Sequence, residues 1–427
     1  MSRVLIVAPQ FYPSNVGGSH RPFRMASFLS NYHDVVVFTS SIKENYDPSL
    51  EEKLKDVNFK IVSIAPKNES VRTTLYSKYY INIVDDFYLR WKASFSKALE
   101  LEKEFSTIIV TTPPFSVGEL LIDLKKKCKS KIIWDLRDAW SQWNIYPYAT
   151  RIHYWLTLNL ERRYLKIADK VLLTSMQTMR DLESIHGVGL ASKLVYVPNS
   201  FDSFEGYEDD QDNDGKVKIG YVGSFYYAPS SDEFNSKKWY QKPFHKWFQY
   251  VPVREEWLYR SPYYFFKILR EVLDKQPDLN DRLQVELIGS KSYLWLVEMI
   301  EEFGLSHVVI LRDRMGKKKV IDFQKKMDFL LLTSSKKIDN NDCSIAGKTF
   351  EYFSLRKPIL AFVSNGEQKN VLNPYVDAHV FDPDMVTESS DNLLSVLSEK
   401  PLGGNSIDYI SMFLTEKALK PLLEHIV

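Results

Sequence analysis

The sequence predicts an α/β protein of two Rossmann-like, doubly wound parallel-sheet domains facing each other across a cleft. Three observations carry this. Short apolar runs alternate with helix-length segments of 3.6-residue spacing along most of the chain, the pattern of repeated strand–helix–strand units. The alternation stops once, at the acidic polar stretch SFEGYEDDQDNDG over 203–215, and then restarts. The length of 427 residues exceeds what one hydrophobic core usually supports.

Residues 4–8 (VLIVA) form a continuous apolar run closed by Pro9, as expected of a strand buried on both faces. After a loop over 9–18, helical spacing covers 21–29, and 35–39 and 59–64 supply the next strands. A long helix is expected over 77–105 and a strand over 107–110, after which Thr111-Thr112-Pro113-Pro114 breaks the chain. Then come helix 117–128, strand 131–135, helix 152–168, strand 170–174, helix 176–185 and strand 194–197. In the second half, strands are expected at 218–222, 284–288, 308–311, 328–332, 358–363 and 379–381. Helices are expected at 262–275, 293–303, 317–326, 347–355 and 389–397, with a closing helix over 409–426. The boundaries that follow are a first domain over 1–202, a linker over 203–216, a second domain over 217–405 and a terminal helix within 406–427. In open sheets of this kind ligands sit outside the carboxyl ends of the strands.

Composition narrows the function. With 56 basic against 55 acidic residues the net charge is +1, which gives no basis for broad nucleic-acid binding. The two cysteines, Cys128 and Cys343, imply neither a disulfide framework nor a metal cluster and fit a reducing compartment. The opening apolar run is too short for a signal-peptide core or a membrane span, so a cytoplasmic protein is expected. Aromatic content is 14%, concentrated around 76–91 and 239–266.

Three stretches carry chemistry. Gly17-Gly18 follows the first strand and precedes a helix, where backbone amides can approach an anionic ligand; a plain turn is the alternative, since no GxGxxG is present. WDLRDAW over 134–140 places two carboxylates and a guanidinium at a strand's carboxyl end. There Asp138 is the candidate proton acceptor and Arg137 its companion, the alternative being a structural ion pair between Asp135 and Arg137. SIAGKTFEY over 344–352 opens a helix, with Ser344 as a candidate cap, Lys348 as a point charge for a phosphate and Glu351 able to accept both hydroxyls of a ribose. A solvated pair between Lys348 and Glu351 is the alternative.

In this order and spacing, VLIVAPQFYPSNVGGSHRPFRMASFLS, DLRDAW, VPNSFD, IGYVGSF and GKTFEYFSLRKPILAF resemble the bacterial retaining glycosyltransferases of the GT-B fold, a large group that includes many capsule, O-antigen and exopolysaccharide transferases. The resemblance implies an acceptor-side first domain, a donor-binding second domain, and a terminal helix bracing the first. It also implies that Gly17 and Gly18 lie near the donor diphosphate and sugar, that Glu351 holds the ribose, that Lys348 lies near the phosphates, and that Gly223 and Ser224 start the loop over the nucleotide.

Two departures stand out. Cys343 occupies the position eight before Glu351 where that family carries its first glutamate, with Asp342 adjacent as a possible substitute. The usual basic pair soon after Gly223 is missing, because no Arg or Lys occurs between Gly223 and Ser236. An aromatic-basic insert follows instead, and Arg254, Arg260 or Lys242 from it are the expected phosphate partners. The insert also suits a bilayer interface, so contact at the inner face of the plasma membrane is a second expectation; aromatics packed as core or as a lid over the donor are the alternative.

The expected function is therefore transfer of a sugar from a nucleotide-sugar co-substrate, by frequency a UDP-sugar, to a glycan or lipid-linked acceptor in bacterial surface polysaccharide biosynthesis. No cofactor or metal is expected, and retention is implied by the resemblance alone. A nucleotide-sugar epimerase of the same fold and a non-catalytic GT-B scaffold are the alternatives.

Overall fold

The computed structural model of the chain describes residues 2–42, 44–67, 85–142, 148–205, 215–227, 237–289, 293–399 and 407–427. Two compact units form. The first comprises Met1–Asp202, Trp239–Val253 and Phe413–Val427, and the second Ser203–Lys238 and Arg254–Met412.

The first unit is built on seven parallel strands: β1 (Arg3–Val7), β2 (Asp34–Ser40), β3 (Lys60–Ile64), β4 (Thr107–Thr112), β5 (Lys131–Leu136), β6 (Lys170–Leu173) and β7 (Leu194–Tyr196). Their order is β3-β2-β1-β4-β5-β6-β7. Alternate residues of β1 enter different cores. Leu5 and Val7 pack with Trp91, Phe95 and Trp134, while Val4 and Ile6 pack with Phe11, Met25 and Leu29. Burial on both faces is why residues 4–7 of this strand are uniformly apolar rather than alternating. Each such side chain contributes about 1.5–3 kcal/mol on leaving water.

The second unit has six parallel strands: β8 (Val217–Val222), β9 (Leu283–Ile288), β10 (Val309–Arg312), β11 (Phe329–Thr333), β12 (Ile359–Phe362) and β13 (Ala378–Phe381). Their order is β10-β9-β8-β11-β12-β13. In each sheet the winding reverses beside the first strand, between β1 and β4 and between β8 and β11. Those two carboxyl-edge positions are where such sheets leave room for a ligand.

Three elements differ from expectation. The segment Trp239–Val253 belongs to the first unit, where Tyr250 exchanges two backbone hydrogen bonds of 2.9 Å with Tyr148. The expected closing helix is broken into Ile407–Ile410, a 3₁₀ turn at Ser411–Phe413, Thr415–Ala418 and Lys420–Leu423. Leu414 is extended there and forms a parallel bridge to Phe201, and Pro421 lacks the N–H a continuous helix needs. Leu419 and Leu422 nonetheless reach the first unit's core. Of the helix expected over 77–105, Phe87–Glu100 is observed. Residues 77–84, linker residues 206–214 and residues 228–236, just before the insert, lie outside the described residues. Among the described residues no helix is long and apolar enough to cross a membrane.

Candidate functional site

At the carboxyl edge of the first sheet Arg137 ties the strand ends together. Its guanidinium donates to Gln10 Oε1 at 2.7 Å, to the Pro113 carbonyl at 3.1 Å and to the Gly18 carbonyl. Its own carbonyl accepts from Thr174 Oγ1 at 2.7 Å. The loops after β1 and β4 thus meet on the side chain of Arg137, which starts the loop after β5, and Thr174 after β6 holds its backbone. Gly18 makes room for this contact, since a Cβ there would stand 2.1 Å from Gln10 Oε1 and 2.2 Å from the Arg137 guanidinium and would have to displace them. Gly17 carries no such constraint: nothing lies within 4 Å of its Cβ position, and it starts the helix Gly17–Leu29.

Asp138 lies beside this cation, with its carboxylate 3.5 Å from Arg137 Nε. Surrounding protein pushes its carboxyl pKa up and Arg137 opposes the shift. With 40% of the side chain open, water screens both effects. Asp135, in contrast, is wholly buried and pairs with Arg21 at 2.9 Å, not with Arg137. A shallow cavity lined by Ser106, Lys125, Lys129, Lys131 and Asp169 opens at the opposite, amino edge of the sheet, away from these residues.

In the second unit the switch point between β8 and β11 gathers Gly223, Ser224, Lys348 and Tyr221. Gly223 has φ +124°, which calls for glycine, and a Cβ on it would stand 2.9 Å from Lys348 Cε and Nζ and displace the ammonium. The Lys348 ammonium lies over the Tyr221 ring, 3.7 Å from its centroid. Burial pushes the amine's pKa down to about 7, with Glu351 opposing. Glu351, one turn along the helix Lys348–Leu355, is exposed, and no described residue bonds its carboxylate. That helix begins after Gly347, not at Ser344, because the Ser344 hydroxyl is drawn to Asp342 Oδ1 at 2.9 Å.

Asp342 is not positioned to stand in for a missing glutamate. It is 2% exposed, and its carboxylate accepts from Ser344 N, Ser344 Oγ and Ser335 Oγ. Cys343 is also buried, its thiol accepting from Lys337 Nζ at 3.0 Å. The expected phosphate arginines have other company. Arg260 is ion-paired to Glu255, and Arg254 lies 3.7 Å from Asp339. Lys242 sits in the segment that joins the first unit. Two residues at these edges were missed from sequence. Gln10, a polar residue at the carboxyl end of β1, was a readable signal. Arg314, which donates to Ser224 Oγ at 3.3 Å, was not, because sequence does not reveal that β10 lies two strands from β8.

No protein-family model matches the chain, and no curated protein matches it in sequence. Solved structures do match over nearly its full length. Sucrose-phosphate synthase from Thermosynechococcus elongatus superposes with a TM-score of 0.62 at 12% identity, covering 99% of this chain and 98% of that one. The lipopolysaccharide outer core galactosyltransferase WaaB gives 0.54 at 14% identity, covering 100% and 99%. An E. coli trehalose-6-phosphate structure bound with UDP-2-fluoro glucose gives 0.57 at 12% identity, covering 100% and 99%. At such identities the likeness is one of fold, and the fold is GT-B: two parallel-sheet Rossmann-like units in one chain.

Proposed function

We propose that the protein is a glycosyltransferase that moves a sugar from a nucleoside-diphosphate donor, with UDP the expected nucleotide, to a glycan or lipid-linked acceptor in bacterial surface polysaccharide synthesis. The observation that carries this reading is the seat at the second sheet's switch point. A glycine held at positive φ lies against a lysine ammonium, and an exposed, unbonded carboxylate follows one turn along the same helix. A ribose diol suits Glu351, and a phosphate suits Lys348. As the glycosidic bond breaks, negative charge builds on the departing phosphate, and a fixed cation stabilises that charge more than the ground state. In the first unit Asp138 is the group for the acceptor hydroxyl and Arg137 positions the loops around it. A retaining course without a metal is part of the proposal.

Incubation with a panel of nucleotide sugars tests it. Donor hydrolysis or transfer supports the reading. Epimerisation without an acceptor favours the epimerase alternative, and binding without turnover a scaffold. No stabilisation by any nucleotide sugar in a thermal-shift screen removes it.

Peripheral membrane contact is part of the same proposal and rests on the first unit. Phe244 and Phe248 are 73% and 71% exposed, Ile152 and Trp155 are exposed on the helix whose Tyr154 packs on Tyr250, and no acidic residue occurs between Lys237 and Arg254. Aromatic rings beside lysines suit an anionic bilayer surface. Sedimentation with anionic liposomes is expected, and protein left in the supernatant removes this part alone.

A further inference from the structure

We propose that Arg314 is the permanent phosphate-binding cation of this chain, closing with Lys348 a diphosphate seat around Gly223 and Ser224; the inference rests on the donor-binding reading above. The chain lacks any basic residue between Gly223 and Ser236, so a donor diphosphate needs a guanidinium from elsewhere.

The geometry supplies one. Arg314 stands two residues past the end of β10, and its Nη2 donates to Ser224 Oγ at 3.3 Å. The strand ends here are closely packed. Gly223 N donates to the Ile288 carbonyl at 2.9 Å, and the Cβ position of Gly289 lies 3.5 Å from Gly223 O and 3.6 Å from Arg314 Cγ. Lys348 closes on Gly223 from the β11 side. One glycine is therefore flanked by the lysine on one side and by the loop bearing Arg314 on the other.

Other arginines of this unit are already engaged. Arg312 is ion-paired to Glu286, Arg260 to Glu255 and Arg270 to Asp274, while Arg356 donates to the Glu205 carbonyl. Arg314 is exposed, and among the described residues no carboxylate pairs with it. A guanidinium resting at 3.3 Å on an uncharged serine hydroxyl exchanges that long contact for a stronger one between opposite charges when a phosphate arrives. It also offers a planar fork that matches phosphate oxygens, which the Lys348 point charge cannot.

Calorimetric titration of the full chain with UDP, GDP, UMP and uridine tests the assignment. Arg314→Ala is expected to weaken the diphosphate that binds by about ten- to a hundredfold while leaving uridine unchanged. It is also expected to flatten the salt dependence of diphosphate binding, and Arg314→Lys to recover part of the affinity. A merely structural arginine would move uridine and diphosphate alike. Wild-type affinity for the diphosphate in Arg314→Ala overturns the assignment and leaves the donor reading standing. A wild-type protein that binds none of these ligands removes the donor reading as well. Arg314 is on the surface, so both variants are expected to melt as the wild type does.

Discussion

The Lys348 ammonium sits 3.7 Å from the centroid of the Tyr221 ring, at the end of the strand that leads into Gly223. The ring face favours the charged amine, yet burial pushes its pKa down to about 7 from the ordinary lysine value of 10.5. Between those two values the unfolded chain binds a proton that the folded chain does not. Stability contributed by this site therefore rises with pH across that window, and the full cost is present below about pH 7. Lys348→Met removes the cost. Its melting temperature at neutral pH should exceed the wild type's, with the difference shrinking towards alkaline pH, while nucleoside-diphosphate affinity falls. A variant that is destabilised throughout contradicts this account.

The same lowered value governs ligand binding. A phosphate beside Lys348 raises the amine's pKa, so binding takes up a proton where the free amine is partly neutral. Wild-type affinity for UDP should fall as pH rises from about 6 to about 9. Titrations in buffers of different ionisation enthalpy should report the uptake. In Lys348→Met the pH dependence should flatten, since an arginine stays charged throughout.

Gly18 and Arg137 make a prediction about loop order. A methyl at Gly18 lands on the Gln10 amide oxygen and the Arg137 guanidinium, both ends of side chains that can swing away. The chain should fold, at a cost of about 1–3 kcal/mol, but the loops after β1 and β4 lose their common anchor. Gly18→Ala and Arg137→Lys should each lower transfer activity more than they lower the melting temperature, since a compact ammonium lacks the planar fork whose separate nitrogens reach Gly18, Gln10 and Pro113. Gly17→Ala, with open space at its Cβ, is the control. Equal effects at both glycines contradict the anchoring role.

Asp138 carries the proton-transfer proposal. Its carboxyl is pushed up by its surroundings yet remains open to solvent, a combination suited to exchanging a proton with a bound hydroxyl. Asp138→Asn should reduce kcat by about 10²–10⁴-fold with KM for the donor little changed. A change in donor KM alone assigns the residue to binding instead.

Strand positions were legible because parallel strands buried on both faces read as continuous apolar runs, as over residues 4–7 of β1 and 329–332 of β11. That Lys348 and Glu351 share the first turn of one helix was legible for a different reason, since a lysine and a carboxylate three residues apart at a helix start need only local geometry. What depended on strand order was not legible. Arg314 reaches Ser224 only because β9 separates β10 from β8, and Tyr250 pairs with Tyr148 although most of the residues after 203 lie in the other unit. The broken terminal segment was misjudged because apolar spacing over 409–426 is helical, while backbone bridging at Phe201 outweighs that preference at Leu414.

The partner of Asp135 is a last instance of long-range pairing, and it yields the firmest stability prediction. Its nearest basic neighbour in sequence is Arg137, but the buried carboxylate meets Arg21 at 2.9 Å, and Arg21 also donates to the Pro198 carbonyl at 3.0 Å. The pair joins the helix that begins at Gly17 to β5, so it holds the first unit's two candidate loops in register. Both side chains have left water, and removing one charge strands the other. Asp135→Ala should cost about 3–5 kcal/mol in urea unfolding, whereas Asp274→Ala, from an exposed pair with Arg270, should cost under about 1 kcal/mol. The double variant Arg21→Met with Asp135→Leu removes both charges and should recover much of the loss. If the double variant costs as much as the two single variants added together, the residues are not coupled, and the register of Gly18 must be set by other contacts.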